Sequence, residues 1–417
     1  SGTSPRGSCS VAAPAWWPTL TVEFQWGYGV ADSWSDTFTD ESDRVRSISI
    51  RSGRDDELQA TQASTATIVL DNRDGALDPS VNTDVRPNVR VKVYADVASA
   101  TGWFAATYGL FAGFIDSVTP TWESSWGETI TIECVDPLAL LALYPYSAVH
   151  AAEDSDTRFA TIAAAIDPSY ISSSYTTPIV TSSGSPQALP AKTYTRAALL
   201  DVLNEIALAE DGVVLVQAVG STGPKLVFVT RYARGLYFSD LITLTDAPST
   251  AWMAEYESVD VDFSTQYVYN DVTVTDDAAH DWTFVNSSSV AKYGNRKFDL
   301  TIPVDDTDEV IRRAEWVASM YGDPRLRVKR VTLRPAPLAS GGMGPWHAAL
   351  FSAVWGGVTV EGDRPAGAFS QKCFVEGYTH DIDASGEWVV SVATSPVWVS
   401  PARYSTGTDL YDVSRFG

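Results

Sequence analysis

In the stretch TATIVLDNRDGALDP, residues 65–79, oxygen-bearing side chains crowd together as Asp71, Asn72 and Asp74. Carboxylates two or three apart in a loop suggest calcium, but a calcium loop of the common type needs oxygen ligands at alternate positions, and Arg73 occupies one of them. The same residues suit a tight turn, because Asn, Asp and Gly adopt backbone conformations that bulkier side chains resist. The expectation is a structural turn made by Asp71, Asn72, Asp74, Gly75 and Pro79. The histidines His150, His280, His347 and His380 are scattered and make no paired zinc spacing. His380, in YTHDID, has Asp381 and Asp383 nearby and invites a catalytic reading. In an alternating strand, however, Asp381 points to the opposite face, so a histidine packed in a β layer is expected. There is no G-x-S-x-G, no P-loop and no cysteine with a local catalytic signature. No catalytic residue, metal or cofactor is expected, although a glycosidase carboxylate pair is set by spacing in space and cannot be read from sequence.

Two further groups carry charge. In DPRLRVKRVTLRP, Arg325, Arg327 and Lys329 alternate along a strand while Leu326 and Val328 point the other way. Either this is a solvated face or, with Arg312 and Arg313, it is a contact to an acidic neighbouring subunit, where the planar multi-donor head of Arg is favoured. The segment WSDTFTDESD, with Asp36, Asp40, Glu41 and Asp43, reads as an exposed acidic loop or part of a channel wall.

The net charge of −23 argues against wrapping a nucleic acid, whose phosphates are neutralised by Lys and Arg. It does not argue against a surface that DNA slides past, because like charge prevents sticking. With 45 % apolar and 19 % charged residues the chain folds, and 417 residues suggest two to four domains. Cys9, Cys134 and Cys373 lie far apart and odd in number, which points to a reducing compartment. The apolar run LALLALYPY is too short for a membrane span, and the N-terminal stretch lacks a signal-peptide core. Neither targeting nor membrane anchoring is expected.

The elements that must position these groups are mostly β. Residues 15–147 read as an antiparallel β-barrel, and 148–250 as an inserted α+β domain with a Ser/Thr-rich loop over 170–190. In that domain Thr195 is placed to cap a helix ending near Gly212, followed by a hairpin. Residues 251–400 read as a second β-barrel containing a helix over 305–321 capped by Asp305 or Thr307, and 401–417 as a tail. An echo links the β regions: FAGFIDSVTPTWESSWGETITIECVDP from Phe111 and FVEGYTHDIDASGEWVVSVATSP from Phe374 each run aromatic, strand, polar turn with Gly and Trp, second strand, Pro.

The ordered set VRSISIRSGR, TATIVLDNRDGALDP, RPNVRVKVYA, LFAGFIDS, ITIECVDPLALLA, YNDVTVT, YGNRKFDL, GDPRLRVKRVTL and GYTHDIDASGEWVVSVATSPV resembles minor tail proteins of long-tailed phages of actinobacteria, across roughly residues 45–397. The resemblance implies a tail hub similar to the baseplate hub of contractile-tailed phages: two related β-barrels per chain, and a homotrimer forming a pseudo-sixfold ring. Such a ring joins the sixfold tail tube or distal tail protein to threefold tip or fibre proteins. DNA passes through it without specific binding, at a virion tail tip assembled in the bacterial host cytoplasm. Two other classes stay open. One is a host glycan or receptor-binding module, suggested by the many Trp and Tyr, although aromatics in β proteins are more often core. The other is a tail-associated cell-wall hydrolase, for which little chain follows the second echo.

Overall fold

In the computed structural model, which describes residues 18–97, 106–122, 128–176, 186–230, 242–248, 253–335, 344–351, 356–365 and 367–397, the alternation read at residues 65–70 becomes one strand of a large sheet. The first part of the chain supplies β1 (Thr19–Phe24), β2 (Thr39–Asp40), β3 (Val45–Gly53), β4 (Gln62–Asp71), β5 (Arg90–Asp96), β6 (Thr107–Thr121) and β7 (Thr129–Val135). On β4 the residues Ala66, Ile68 and Leu70 are buried while Thr65 is exposed, as a period of two requires of a strand with one face on a core.

The middle part supplies α1 (Pro137–Leu141), β8 (Pro145–His150), β9 (Glu153–Asp154), α2 (Ser155–Ala164), β10 (Ser173–Thr176), β11 (Ala188–Leu189), β12 (Lys192–Ala198), α3 (Leu199–Glu210), β13 (Val213–Val219) and β14 (Gly223–Val229). The apolar run after Asp136 is the short helix α1, capped by that aspartate, which accepts from the Leu138 N–H. Strands β13 and β14 form the expected hairpin. Thr195 does not cap α3: it lies within β12, which runs directly into the helix, and Ala198 stands at the cap position without a side-chain bond. Asp211 ends that helix in the left-handed conformation, and the Gly212 N–H returns to the Ala207 carbonyl.

The last part supplies β15 (Thr243–Thr245), β16 (Met253–Glu255), β17 (Ser258–Asp262), β18 (Asp271–Asp276), β19 (Asp281–Val285), α4 (Ser287–Tyr293), β20 (Lys297–Ile302), α5 (Thr307–Met320), β21 (Arg327–Leu333), α6 (Gly344–Phe351), β22 (Gly357–Gly362), β23 (Phe369–Asp383) and β24 (Trp388–Pro396). The cap of α5 is Asp306, whose carboxylate accepts from the Asp308 and Glu309 N–H groups, rather than either neighbour.

The two β regions have one topology. The first is ordered β3-β4-β7-β6-β5-β1-β2 and the second β17-β21-β24-β23-β22-β15-β16, so the strands of each occur in the same chain order. They differ at one end, where β1 pairs antiparallel with β5 and β2 but β15 pairs parallel with β22 and β16. The long hairpins β6–β7 and β23–β24 each carry a bulge, after Ile115 and after Val375. Superposing the bulges sets FIDSVT from Phe114 on FVEGYT from Phe374, three residues on from the match that begins at Phe111. Arg90 and Gly357 then lie opposite the two phenylalanines. The bonds Ile115 N to Val89 O and Val375 N to Gly356 O, both 2.8 Å, also coincide.

Two separate closed barrels do not form among the described residues. Strand β3 bonds to β23 instead of returning to β2, and β17 does not return to β16, so one fourteen-stranded sheet runs through both halves. One core lies under this sheet, from Val22 to Val392 in sequence. A second core joins the middle part to residues 267–321, and Val310, Ala314 and Val317 of α5 are buried in it. No helix among the described residues is long and apolar enough to cross a membrane.

Candidate functional site

The turn after β4 is held by its own charges. Gly75 has φ +67°, its N–H donates to the Asn72 carbonyl at 2.9 Å, and the buried Asn72 side chain accepts from the Leu77 N–H at 2.9 Å. Asp74 binds Arg44 through both oxygens, at 2.9 and 2.7 Å, and Asp71 bonds Arg73 and Arg46. Arg73 beside Asp71 and Arg44 beside Asp74 hold both carboxyls down at about 2. Their oxygens are engaged by guanidinium groups, the arrangement of a structural turn. Pro79 sits in the turn that follows.

The acidic loop is anchored from below by a side chain that the sequence did not single out. Buried Arg90 donates to the carbonyls of Gly29, Val30 and Ser169 and to Gln25 Oε1, with its guanidinium 5.3 Å from the Trp34 ring centroid. Lys92 lies 3.7 Å over Phe38. Asp36 and Asp40 face outward, accepting from the Ser33 and Ser42 N–H groups, while the largely buried Glu41 joins Trp26 Nε1 to Arg44. Asp43 lies in a 3₁₀ turn at Ser42–Arg44. Basic residues spaced through RVKV at 90–93 were the only signal of this anchor.

The five basic residues do not share a face. Arg327 turns inward, pairs with Glu57, which also accepts from Tyr321 Oη at 2.7 Å, and stacks 4.2 Å from the Tyr267 centroid. Arg313 is buried against Asp211 at 3.3 Å and Glu309 at 3.5 Å. Only Arg312, Arg325 and Lys329 are on the surface, and Arg312 pairs with Glu309 at 3.3 Å. The regular alternation failed because β21 meets β17 at a bulge between Asp260 and Val261.

These buried pairs border the joint where the halves meet. Buried Arg54, next to β3, bonds Glu376 of β23 at 2.8 Å, and Ser395 bonds the same carboxylate. At Gly53, with φ +87°, a Cβ would meet the Glu376 carbonyl oxygen at 2.3 Å; at Gly377 it would meet the Ser52 oxygen at 2.7 Å. The halves therefore approach through two glycines facing each other. Beside the joint, a cleft of about 520 Å³ is lined by Arg54, Glu57, Lys192, Asp211, Arg313 and Trp316 among others. Its cations are matched by acids: Lys192 reaches Glu205 at 2.9 Å and Asp277 at 3.1 Å.

His380 is buried in the β layer, its Nδ1 accepting from Trp388 Nε1 at 3.0 Å, while Asp381 is exposed and accepts from Ser49 Oγ at 2.6 Å. Burial pushes the imidazole down to about 3, so it is neutral. The fold also gathers Asp276, His280 and Asp305, with ligand atoms within 4.8 Å of one another. His280 Nδ1 already bonds Asp276 at 2.8 Å, and this hydrogen bond raises the imidazole above its ordinary 6.5.

No family model matches the sequence, and no curated protein matches it. Solved structures do. A tail protein from Neisseria meningitidis MC58 aligns over 93 % of this chain and 99 % of its own, at 12 % identity and a TM-score of 0.59. The 43 kDa tail protein of prophage MuSo2 from Shewanella oneidensis aligns over 91 % and 98 %, at 14 % identity and 0.55. The fold is that of phage tail proteins. A component of the Escherichia coli type VI secretion system, itself structurally similar to the bacteriophage T4 tail proteins gp27 and gp5, aligns over 88 % and 77 %, at 11 % identity and 0.50.

Proposed function

We propose that this chain is a structural hub subunit of a phage tail, three copies of which form a ring of six like sheet halves. The single observation that carries the reading is the repeated topology, β3-β4-β7-β6-β5-β1-β2 and β17-β21-β24-β23-β22-β15-β16. A chain with two equivalent halves, repeated by a threefold axis, gives sixfold partners six similar contacts and threefold partners three. The likeness in fold to tail proteins supports the same reading.

In this role the ring sits at the tail tip and joins the distal tail protein or tube ring to tip or fibre proteins. It is assembled in the bacterial host cytoplasm, and DNA passes through it without specific binding. The chain's net charge of −23 suits a wall that repels phosphate. The sequence resemblance extends the reading to a minor tail protein of a long-tailed phage of actinobacteria. The surface residues Arg312, Arg325 and Lys329 remain candidates for contact with an acidic neighbour, and the exposed Asp36, Asp40 and Asp43 for the channel-facing acids, whereas Glu41 is turned in against Trp26 and Arg44. The work assigned here is geometric and needs no catalytic group. Antibody raised against the chain should decorate phage particles only at the end of the tail away from the head. Decoration of the capsid would contradict the proposal.

A further inference from the structure

We infer that the ring is held by a strand pairing between copies that repeats the β3–β23 joint within one copy: β17 of one chain pairs with residues 118–122, on and just past β6, of the next. The inference deepens the hub reading and takes from it only the number of copies.

Superposing the two halves makes β17 the equivalent of β3 and β6 the equivalent of β23. Ser47, Ile48 and Ser49 face Val69, Ile68 and Thr67 on β4, as Ser258, Val259 and Asp260 face Thr332, Val331 and Arg330 on β21. The hairpin bulges set Val118, Thr119, Pro120, Thr121 and Trp122 on Tyr378, Thr379, His380, Asp381 and Ile382. Within the chain, Tyr378 to Ile382 pair antiparallel with Ser52 back to Ile48. Carried to the next copy, the same register sets Val118 opposite Phe263, Thr119 opposite Asp262, Pro120 opposite Val261, Thr121 opposite Asp260 and Trp122 opposite Val259.

Both edges this needs are open among the described residues. Among the described residues β17 pairs only with β21, and β5 covers β6 only as far as Phe114, whereas β3 covers the matching stretch of β23. Exposure follows the same division. Ile50, Ser52 and Ile382, at the covered joint, are 0, 8 and 7 % exposed, while their equivalents Val261, Phe263 and Trp122 are 41, 67 and 66 % exposed. Exposed β edges flanked by large apolar side chains are templates for another strand. The polar groups also correspond: Ser49 Oγ donates to Asp381, and Thr121 would donate to Asp260 with hydroxyl and carboxylate exchanged between strands. Ser117 and Ser264 replace the facing Gly377 and Gly53, whose backbones come too close for a Cβ, so the pairing stops at Val118 and Phe263. The contact is head to tail, using different surfaces of the two copies, and such contacts close into rings when the rotation permits.

The test is a pair of cysteines on a Cys9→Ser background, which leaves the buried Cys134 and Cys373 as the remaining native thiols. Thr119→Cys with Asp262→Cys faces the two sulfurs across the pairing; Thr119→Cys with Asp260→Cys sets them two residues out of register. After mild oxidation the facing pair should give a covalent ladder ending at three chains, and the offset pair at least tenfold less. In parallel, Phe263→Asp, at an exposed position, should reduce the mass in solution to one chain while leaving the melting of the fold unchanged. A threefold mass without cross-linking of the facing pair overturns this inference and leaves the hub reading standing. A single-chain mass for the unaltered protein at every concentration, with no cross-link, overturns both.

Discussion

Aspartates 71 and 74 show how neighbours decide what a carboxylate does. Each is bound by arginine and titrates near 2 rather than at its ordinary 3.8, so the unfolded chain takes up protons before the folded one as pH falls. The stabilisation from these pairs is whole above about pH 4 and is lost between there and about pH 2. Both pairs lie at the surface, so Asp74→Asn should cost under about 1 kcal/mol, whereas Asn72→Ala should cost about 1–3 kcal/mol by stranding the buried Leu77 N–H. Denaturant melts at pH 7 separate the two. His380 acts in the opposite protonation sense but with the same slope. Its folded value near 3 lies below the ordinary 6.5, so the unfolded state binds the extra proton and stability falls as pH drops below about 6.5. A His380→Gln variant should lose that part of the slope between pH 6.5 and 4; an unchanged slope would show that the imidazole is not the group buried neutral. The strand period places His380 inward and Asp381 outward. It misplaces Arg327, whose partner Glu57 is 270 positions away and whose strand is shifted by a bulge.

At the level of elements, local signals are legible where the physics is local. The alternation of β4, the apolar stripe of α5 and the β13–β14 hairpin follow from pattern alone. The cap of α3 does not, because β12 continues into the helix and overrides the preference of Thr195. The joint between halves is also invisible in one dimension: Arg54 and Glu376 are 322 positions apart, and nothing near Gly53 announces that Gly377 will face it. Two open halves joined at β3 replace two closed barrels for that reason. The two kinds of glycine predict different costs. Gly53→Ala combines a positive φ with a contact at 2.3 Å to backbone, and should destabilise by at least about 2 kcal/mol. Gly75→Ala has φ +67° but open space, so only the left-handed conformation is charged, about 1–2 kcal/mol. Equal losses in thermal melts would contradict the close approach of the two halves at Gly53.

For the whole molecule, charge and assembly pull against each other. Chains of net charge −23 repel at long range, and salt screens that repulsion while barely affecting apolar and main-chain contacts. Association through the β17 edge should therefore strengthen as ionic strength rises from about 0.01 to 0.15 M. Weakening over that range would point instead to an interface built on Arg312, Arg325 and Lys329. The topological repeat was legible only as a faint echo of one hairpin, because two halves can share every strand connection while sharing few residues. The most direct measurement is the mass of the full chain in solution, with images of the same sample for rotational symmetry. A particle of three times 45.1 kDa with a central hole and six similar lobes is the predicted result. A compact monomer, or a twofold dimer without a hole, would contradict it.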